Sequence, residues 1–134
     1  MLKGIQHVDD ARKAVEAGMD GIIVSNHGAI GSPEVLPEIV DAVGNDITVL
    51  FDSGVRTGVD VIKTLCLGAK GVCIGRPWVY GLGIVEKADA KEVLQGIPAD
   101  LDQSMGLAGI KDTAGCERVM LRRVSYGADE KSLN

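Results

Sequence analysis

The sequence predicts an α/β fold built from successive βα units, and three observations support this prediction. Short apolar runs of strand length alternate along the chain with segments of helical periodicity. The apolar runs are continuous rather than alternating, which is typical of parallel strands that helices cover on both faces. A helix end, a tight turn and a buried strand occur together at residues 18–24, and a similar segment recurs at residues 68–74.

The predicted strands and helices alternate strictly over the first half of the chain. The predicted strands cover residues 1–4, 21–25, 47–51 and 71–75. The predicted helices cover residues 9–18, 34–43 and 59–67, and Gly18 and Gly68 suit their C-terminal caps. Each of these helices has an apolar face, which a helix needs in order to pack on a sheet. Repeated βα units indicate a barrel, although an open doubly wound sheet would produce a similar pattern.

Chain length limits how much of a barrel the sequence can form. A complete (β/α)8 barrel needs roughly 250 residues, whereas this chain has 134 residues. We therefore predict a single domain over residues 1–134 that contains about four βα units and forms half of a TIM-type (β/α)8 barrel, followed by C-terminal helices. The predicted C-terminal helices cover residues 85–107, where Gly96 and Pro98 weaken the pattern, and residues 112–123.

Composition and charge exclude several classes of function. The formal net charge of −5 argues against a nucleic-acid partner, which normally requires a basic surface. No apolar run approaches the roughly 20 residues that span a membrane, and the N-terminus lacks the features of a signal peptide. The three cysteines have no metal-ligand spacing, and Cys66 and Cys73 lie in apolar runs, as buried free thiols do. These features predict an intracellular protein of the cytoplasm or an organelle matrix, without a metal site.

Glycine-rich turns with arginines follow the last two predicted strands. In a (β/α)8 barrel these loops commonly bind phosphate, and the chemistry takes place at the carboxyl ends of the strands. Gly54 and Gly58 would let backbone N–H groups approach an anion at a helix N-terminus. Arg56 and Arg76 could each donate two hydrogen bonds to phosphate oxygens. The pattern predicts a phosphate site, and a purely structural glycine-rich turn is the alternative.

A histidine follows the second predicted strand directly. A lone histidine at such a position is more often a hydrogen-bonded structural residue than a base. His27, however, shares the predicted strand ends with Lys3 and Asp52, and an imidazole titrates near neutrality, where it can accept a proton from a substrate. His27 is therefore a candidate base. His7 lies just before a predicted helix without such neighbours, and we predict that it is a surface residue.

Four strand-end segments resemble, in order and spacing, the motifs of the FMN-dependent 2-hydroxy-acid dehydrogenases and oxidases. The segments are Lys-Gly-Ile-Gln at residues 3–6, Ser-Asn-His-Gly at 25–28, Asp-Ser-Gly-Val-Arg-Thr-Gly at 52–58 and Ile-Gly-Arg-Pro at 74–77. The first and third segments are most similar to those of lactate 2-monooxygenases. The resemblance extends from residue 2 to about residue 109 and assigns the four predicted strands to positions 5–8 of the barrel.

The resemblance implies oxidation of a 2-hydroxy acid, such as L-lactate, to the 2-keto acid, with FMN as the acceptor of two electrons. It implies that Lys3 neutralises charge at the pyrimidine edge of the flavin, and that Ser25 forms a hydrogen bond with the flavin ring. It also implies that His27 takes a proton from the substrate and that Asp52 stabilises the protonated imidazole. The residues implied to hold the FMN phosphate and ribityl chain are Gly54, Arg56, Gly75 and Arg76.

The sequence departs from the family in the segment that follows the histidine. The family has an arginine there that binds the substrate carboxylate, whereas Gly28 is followed here by Ala-Ile-Gly-Ser-Pro, and no arginine occurs between His27 and Arg56. Without this bidentate contact, a carboxylate substrate loses roughly 1.5–3 kcal/mol of binding free energy. A non-catalytic FMN-binding or structural half barrel is therefore an alternative to an enzyme. Another phosphate-binding barrel, such as a different FMN-dependent oxidoreductase or a sugar-phosphate enzyme, is a third possibility.

A half barrel has unpaired strands at both edges of its sheet and an apolar concave face. Exposed edges and apolar surfaces of this kind favour association. We therefore predict that the chain pairs with a second copy of itself or with an N-terminal half barrel. The resemblance implies that its substrate is a small 2-hydroxy acid.

Overall fold

A single parallel sheet organises the molecule. The computed structural model describes residues 1–26 and 32–124, with the backbone alone described for Ser32 and for residues 84–90. The strands are β1 (Leu2–Ile5), β2 (Gly21–Val24), β3 (Thr48–Asp52) and β4 (Gly71–Cys73). They lie in the order β1-β2-β3-β4, and every neighbouring pair is parallel. This arrangement confirms the prediction of four βα units.

One helix follows each strand. The helices are α1 (Val8–Glu16), α2 (Ser32–Val43), α3 (Gly58–Cys66) and α4 (Arg76–Ala108). Because the strands are neighbours in sequence order, the described sheet lacks the reversal of strand order that defines a doubly wound sheet. The architecture is therefore that of a barrel wall, and half of a (β/α)8 barrel is the interpretation that it supports.

The repeated sequence segments form the same structure twice. Gly18 follows α1 with φ 71°, and the amide N–H of Met19 donates to the carbonyl oxygen of Ala14 at 3.0 Å. Gly68 follows α3 with φ 105°, and the amide N–H of Ala69 donates in the same way to the carbonyl oxygen of Thr64 at 3.3 Å. This is the Schellman arrangement, which needs a residue that tolerates positive φ. Each copy then leads into a strand, as predicted.

The apolar core lies between the sheet and the helices that cover it. Strand β2 is almost completely buried, and β3 buries Val49 and Phe51 while its other residues are partly or fully exposed. Most of β1 is exposed, and β4 is half-buried. Fully buried side chains of the core include Ile22, Val24, Leu36, Ile39, Val49 and Phe51. No described helix has the length and apolarity required to cross a membrane.

Of the two helices predicted for the C-terminal part of the chain, the first is present but begins earlier than predicted, and the second is absent. The long helix α4 begins at Arg76 rather than at residue 85, because Pro77 in its first turn needs no hydrogen-bonded N–H group and therefore favours a helix start. Residues 112–123 do not form a helix but two short 3-10 turns, Thr113–Gly115 and Arg118–Met120. The Asp112 side chain accepts a hydrogen bond from the amide of Gly115 at 3.1 Å, and such local bonding competes with helix formation.

Candidate functional site

A cleft opens at the carboxyl ends of the four strands. Its volume is about 430 Å³, within the range of roughly 300–1,000 Å³ that is typical of small-molecule sites. The lining residues are Lys3, Ser25, Asp52, Ser53, Gly54, Val55, Arg56, Cys73, Gly75, Arg76 and Pro77. The structure therefore brings together every described residue that the family resemblance implies for the site, whereas Gly58 does not line the cleft. His27 and Gly28 lie outside the described residues.

An ion pair between Lys3 and Asp52 occupies one side of the cleft. Lys3 belongs to β1 and Asp52 ends β3, so the lysine side chain reaches over β2 to the carboxylate. The hydrogen bond to Asp52, supported by the attraction of its charge, raises the pKa of Lys3 above its ordinary value. Gly4, with φ 94°, interrupts the register of β1 directly after Lys3. Irregularities of this kind redirect neighbouring side chains.

Ser25 connects this ion pair to the end of β2. The residue is 2% exposed, and its hydroxyl donates to Oδ2 of Asp52 at 3.3 Å. The side-chain amide of Gln6 donates to the carbonyl oxygen of Ser25 at 3.0 Å. The Ser53 hydroxyl lies 3.5 Å from that of Ser25 and accepts a hydrogen bond from the amide of Asn26 at 3.3 Å. Ser25 is thus held in place from three directions.

Arginine side chains form the opposite side of the cleft. Arg56 and Arg76 are both exposed, and neither guanidinium forms an ion pair with a described carboxylate. Gly54, at the turn after β3, has φ 77°, a conformation that favours glycine. Two arginines without carboxylate partners at one cleft provide the donors that a phosphate group requires.

The N-terminus of α4 lies beside these arginines. Gly75 is its N-cap residue and provides no side-chain hydrogen bond, and the first turn contains no acidic residue. The dipole of the helix is therefore uncompensated by any carboxylate in this turn. Uncapped N–H groups at such an end favour a bound anion.

The N-terminus of α3 is satisfied by the chain itself. The Thr57 hydroxyl accepts from the amide of Asp60 at 3.2 Å, and Oδ2 of Asp60 accepts from the amides of Arg56 and Thr57, both at 3.1 Å. This is a capping box. The acidic group thus occupies the position that an anion would take. Arg56 consequently offers the cleft its guanidinium rather than its amide.

The prediction that Gly58 helps to bind an anion is wrong. Its amide donates to Oδ2 of Asp100 on α4 at 2.6 Å. A Cβ atom at this position would lie 2.3 Å from the backbone nitrogen of Leu101, so glycine is required where α3 and α4 cross closely. Gly58 is a packing residue between two helices.

Two further predictions concern residues near the site. The prediction that Cys73 is a buried thiol is wrong, because Cys73 ends the edge strand β4, is partly exposed and lines the cleft. The prediction that His7 is a surface residue is confirmed. Its Nδ1 accepts the amide N–H of Asp9 at 3.2 Å and so caps α1.

A family model described as "FMN-dependent dehydrogenase" matches residues 1–123. The chain belongs to the FMN-dependent dehydrogenase family. This membership decides against the alternative of a sugar-phosphate barrel. It also agrees with the resemblance of the strand-end motifs.

Relatives with known names include several hydroxy-acid enzymes. The chain is 58% identical to the FMN-dependent alpha-hydroxy acid dehydrogenase qulF of Penicillium citrinum, over 99% of this chain and 35% of that protein. It is 44% identical to the L-lactate oxidase of Lysinibacillus sphaericus, over 90% of this chain and 33% of that protein. It is 43% identical to human 2-hydroxyacid oxidase 1, over 92% of this chain and 35% of that protein. The chain thus spans about a third of the length of these relatives.

Solved structures of mandelate oxidase share the fold. The structure with benzoyl-formic acid superposes with a TM-score of 0.82 at 40% identity, covering 87% of this chain and 37% of that chain. A mandelate oxidase variant with a monooxide FMN adduct gives the same TM-score and identity, covering 40% of its chain. A parallel sheet that matches part of these larger chains supports the assignment of half a barrel.

Gln6, Ser53 and Cys73 also belong to the site, although none of them is a candidate in the sequence-based prediction. Gln6 and Ser53 lie inside the quoted motifs, so their position at the strand ends was a usable signal. Cys73 immediately precedes the Ile-Gly-Arg-Pro segment, but its apolar neighbours suggested burial.

Proposed function

We propose that this chain forms the FMN-binding part of an enzyme that oxidises a 2-hydroxy acid, such as L-lactate, to the 2-keto acid. The observation that carries this proposal is one cleft with the Lys3–Asp52 pair on one side and the guanidinium groups of Arg56 and Arg76 on the other. Membership in the FMN-dependent dehydrogenase family and the names of the relatives support it.

The donors on the arginine side suit the phosphate of FMN. Arg56 and Arg76 would donate to its oxygens, while Gly54 and Gly75 allow its close approach to the backbone. Across the cleft, Lys3 would neutralise negative charge on the flavin ring, because a lysine with a raised pKa remains cationic at neutral pH. When bound, FMN supplies the acceptor for the two electrons that leave the hydroxy acid.

The proposed proton chemistry depends on His27, which follows Ser25 and Asn26 in the sequence. His27 would accept a proton from the substrate and become an imidazolium. Asp52 would stabilise that cation, since a neighbouring carboxylate favours the charged form of histidine. Both described contacts of Asp52 use Oδ2, so among the described residues Oδ1 has no partner and is open to such an interaction.

Binding of FMN by the purified chain tests this proposal. Titration with FMN should quench or shift flavin fluorescence, and Arg76→Ala should weaken the affinity by about tenfold or more, because a hydrogen bond to a charged group is worth about 1.5–3 kcal/mol. Arg12→Ala, on the exposed face of α1, is the matched control and should leave the affinity unchanged. Absence of binding at about 1 mM FMN, equivalent to about −4 kcal/mol, would contradict the proposal for this chain.

A second candidate function is FMN or phosphate binding without catalysis. The observation in its favour is the absence of an arginine between His27 and Arg56, where the resemblance implies a contact to the substrate carboxylate. The two candidates differ in one measurement. Anaerobic L-lactate, glycolate or mandelate should bleach the bound flavin if the chain is catalytic, and should leave it oxidised if the chain only binds FMN.

We also propose that the chain associates, either with a second copy or with an N-terminal half barrel. The strands β1 and β4 lie at the edges of the described sheet, and Leu2 on β1 is exposed. Trp78, Val79 and Tyr80, in the first turns of α4 after β4, expose 40%, 52% and 61% of their surface. Unpaired edges beside exposed apolar side chains favour a partner. A monodisperse monomer in sedimentation at micromolar concentration would contradict this proposal.

Two further proposals concern the chain as a whole. We propose that residues 1–134 form one domain, because the core is continuous from β1 to α4 through Ile5, Phe51 and Ile97. We also propose a reducing, intracellular compartment, which the three free cysteines support. Labelling of the native protein with a thiol reagent after gentle extraction would test the second of these proposals.

A further inference from the structure

Ser53 combines two features that the proposed function does not use. Its backbone has φ 104°, and it is the one described non-glycine residue with positive φ. Its hydroxyl lies between the ends of β2 and β3. A serine in a conformation that favours glycine needs a compensating interaction, and the hydroxyl provides one.

The Ser53 hydroxyl continues the pairing of β2 with β3 beyond the backbone ladder. The last paired residues of these strands are Val24 and Phe51. Two positions further along, the amide of Asn26 donates to the Ser53 hydroxyl at 3.3 Å instead of to a strand carbonyl. The side chain thus joins the two strand ends at the point where β2 leaves the sheet.

The direction of the hydrogen bonds around Ser53 can be deduced from its neighbours. The Ser25 hydroxyl directs its single proton to Oδ2 of Asp52. Because a carboxylate only accepts, the arrangement that satisfies all three groups has Ser53 as the donor and Ser25 as the acceptor in the 3.5 Å contact between the two hydroxyls. A directed chain results that runs from Asn26 through Ser53 and Ser25 to Asp52, where Lys3 also binds. Bonds in such a chain polarise and strengthen one another.

We propose that Ser53 is a positioning residue that fixes the end of β2 and orients the Ser25 hydroxyl towards Asp52. The hydroxyl, rather than the turn conformation, is the property of Ser53 that matters. The consequence for bound flavin rests on the proposed function, whereas the consequence for Asn26 and Ser25 does not. If Ser53 were only a turn residue, glycine would serve equally well, because glycine adopts positive φ without strain.

Two substitutions separate these roles, because they affect stability and positioning in opposite ways. Ser53→Gly removes the hydroxyl and relieves the backbone, whereas Ser53→Thr keeps a hydroxyl but places a β-branched residue at positive φ. We expect the midpoint of denaturant unfolding to follow the order Gly, Ser, Thr, from the highest to the lowest. We expect protection of the Asn26 amide from hydrogen exchange to follow a different order, with Ser and Thr similar and Gly lower.

Amide exchange measured by NMR in the purified chain is the decisive experiment. Ser53→Gly should accelerate exchange at Asn26 by about tenfold, the effect of losing one hydrogen bond, and Ser53→Thr should restore protection. Ser104→Ala on α4 removes a serine hydroxyl that forms no hydrogen bond within the described part of the chain, and it should leave exchange at Asn26 unchanged. If Ser53→Thr does not fold, faster exchange in Ser53→Gly without a lower unfolding midpoint still supports the proposal. Unchanged exchange at Asn26 in Ser53→Gly overturns it.

A parallel FMN titration separates this proposal from the proposed function. In the wild-type chain, bound FMN should show a shifted absorption band; Ser53→Gly should alter the shift and Ser53→Thr should restore it. If the wild-type chain binds no FMN while Asn26 responds as expected, the proposed function fails and the role of Ser53 stands. If FMN binds and neither the flavin band nor Asn26 responds to Ser53→Gly, the role of Ser53 fails and FMN binding stands.

Discussion

The helices α3 and α4 both begin beside the same cleft after a glycine-containing turn, but the chain treats their N-termini differently. Side chains occupy the N-terminus of α3, through the capping box of Thr57 and Asp60 and through Asp100. The N-terminus of α4 has no side-chain cap and no acidic residue in its first turn. A glycine-rich turn before a helix is therefore not sufficient for an anion site. We propose that the anion site lies at α4, whose N–H groups have no side-chain cap.

The largest expected effect is a difference in the free energy of unfolding between substitutions of Gly58 and Gly75, the glycines at the two helix starts. Gly58→Ala should lower the free energy of unfolding by about 3 kcal/mol, the upper part of the usual range for overpacking, because the new Cβ would meet the rigid backbone of α4. Gly75→Ala should change it by less than about 0.5 kcal/mol, since a Cβ at Gly75 has no atom within 4 Å. Urea unfolding of both variants measures the difference. Equal losses of stability in the two variants would contradict the difference in packing between the two helix starts.

The second prediction places a carboxylate at the α4 N-terminus. Gly75→Asp should weaken FMN or inorganic phosphate binding by about tenfold or more relative to Gly75→Asn, equivalent to about 1.4 kcal/mol. The two side chains have nearly the same shape, so the comparison isolates the added negative charge. Isothermal titration at low ionic strength is the measurement. Similar affinities in the two variants would place the anion elsewhere in the cleft.

The third prediction concerns the cap of α3. Thr57→Ala should lower the free energy of unfolding by about 1 kcal/mol, because it removes the acceptor for the amide of Asp60. Thr57→Ser keeps that acceptor and serves as the control. Because the cap is internal, neither variant should weaken phosphate binding by the amount expected for Arg76→Ala. A large loss of phosphate affinity in Thr57→Ala would show that α3 takes part in anion binding.

The contrast between the N-termini of α3 and α4 also shows which features could be predicted from the sequence. The strand ends were predictable because their signals are local: continuous apolar runs followed by polar or glycine-rich segments. The interaction of Gly58 with Asp100 joins residues 42 positions apart, and it depends on how α4 crosses α3. No local pattern contains that crossing. The role of Ser53 was likewise hidden, because its positive φ and its contact with β2 arise only when the strands pair.

The C-terminal segment was mispredicted for a related physical reason. Its periodicity suggested a helix over residues 112–123, but local capping by Asp112 and contacts with distant groups outweigh helical propensity there. Arg118 forms two hydrogen bonds with the carboxylate of Asp41 on α2, at 2.8 and 2.9 Å, and also donates to the carbonyl oxygen of Leu67 at the end of α3. Side chains therefore form hydrogen bonds at both ends of α3.

The smallest expected effect concerns this far end of α3 and depends on pH. The hydrogen bond from Arg118 lowers the pKa of Asp41 below its ordinary value of 3.8. Because the folded-state pKa is the lower one, the pair stabilises the fold above the ordinary value, and this stability is lost as the pH falls through the lowered pKa. Both side chains are largely exposed, so screening limits the contribution to about 0.5 kcal/mol at neutral pH.

Asp41→Asn should therefore reduce the free energy of unfolding slightly at pH 7, and the difference from the wild type should shrink as the pH falls below the ordinary aspartate range. Urea unfolding at pH 7 and at a pH below the ordinary aspartate range measures this change. Asp46→Asn is the control, because Asp46 is exposed and forms no ion pair with a described residue. A difference for Asp41→Asn that stayed constant in acid would mean that Arg118 anchors the C-terminal segment through the carbonyl oxygens of Pro37 and Leu67 rather than through the charge of Asp41. The C-terminal end of α3 would then be held through hydrogen bonds to neutral carbonyl groups. Of the two ends of α3, the N-terminal end would be the one that depends on a carboxylate.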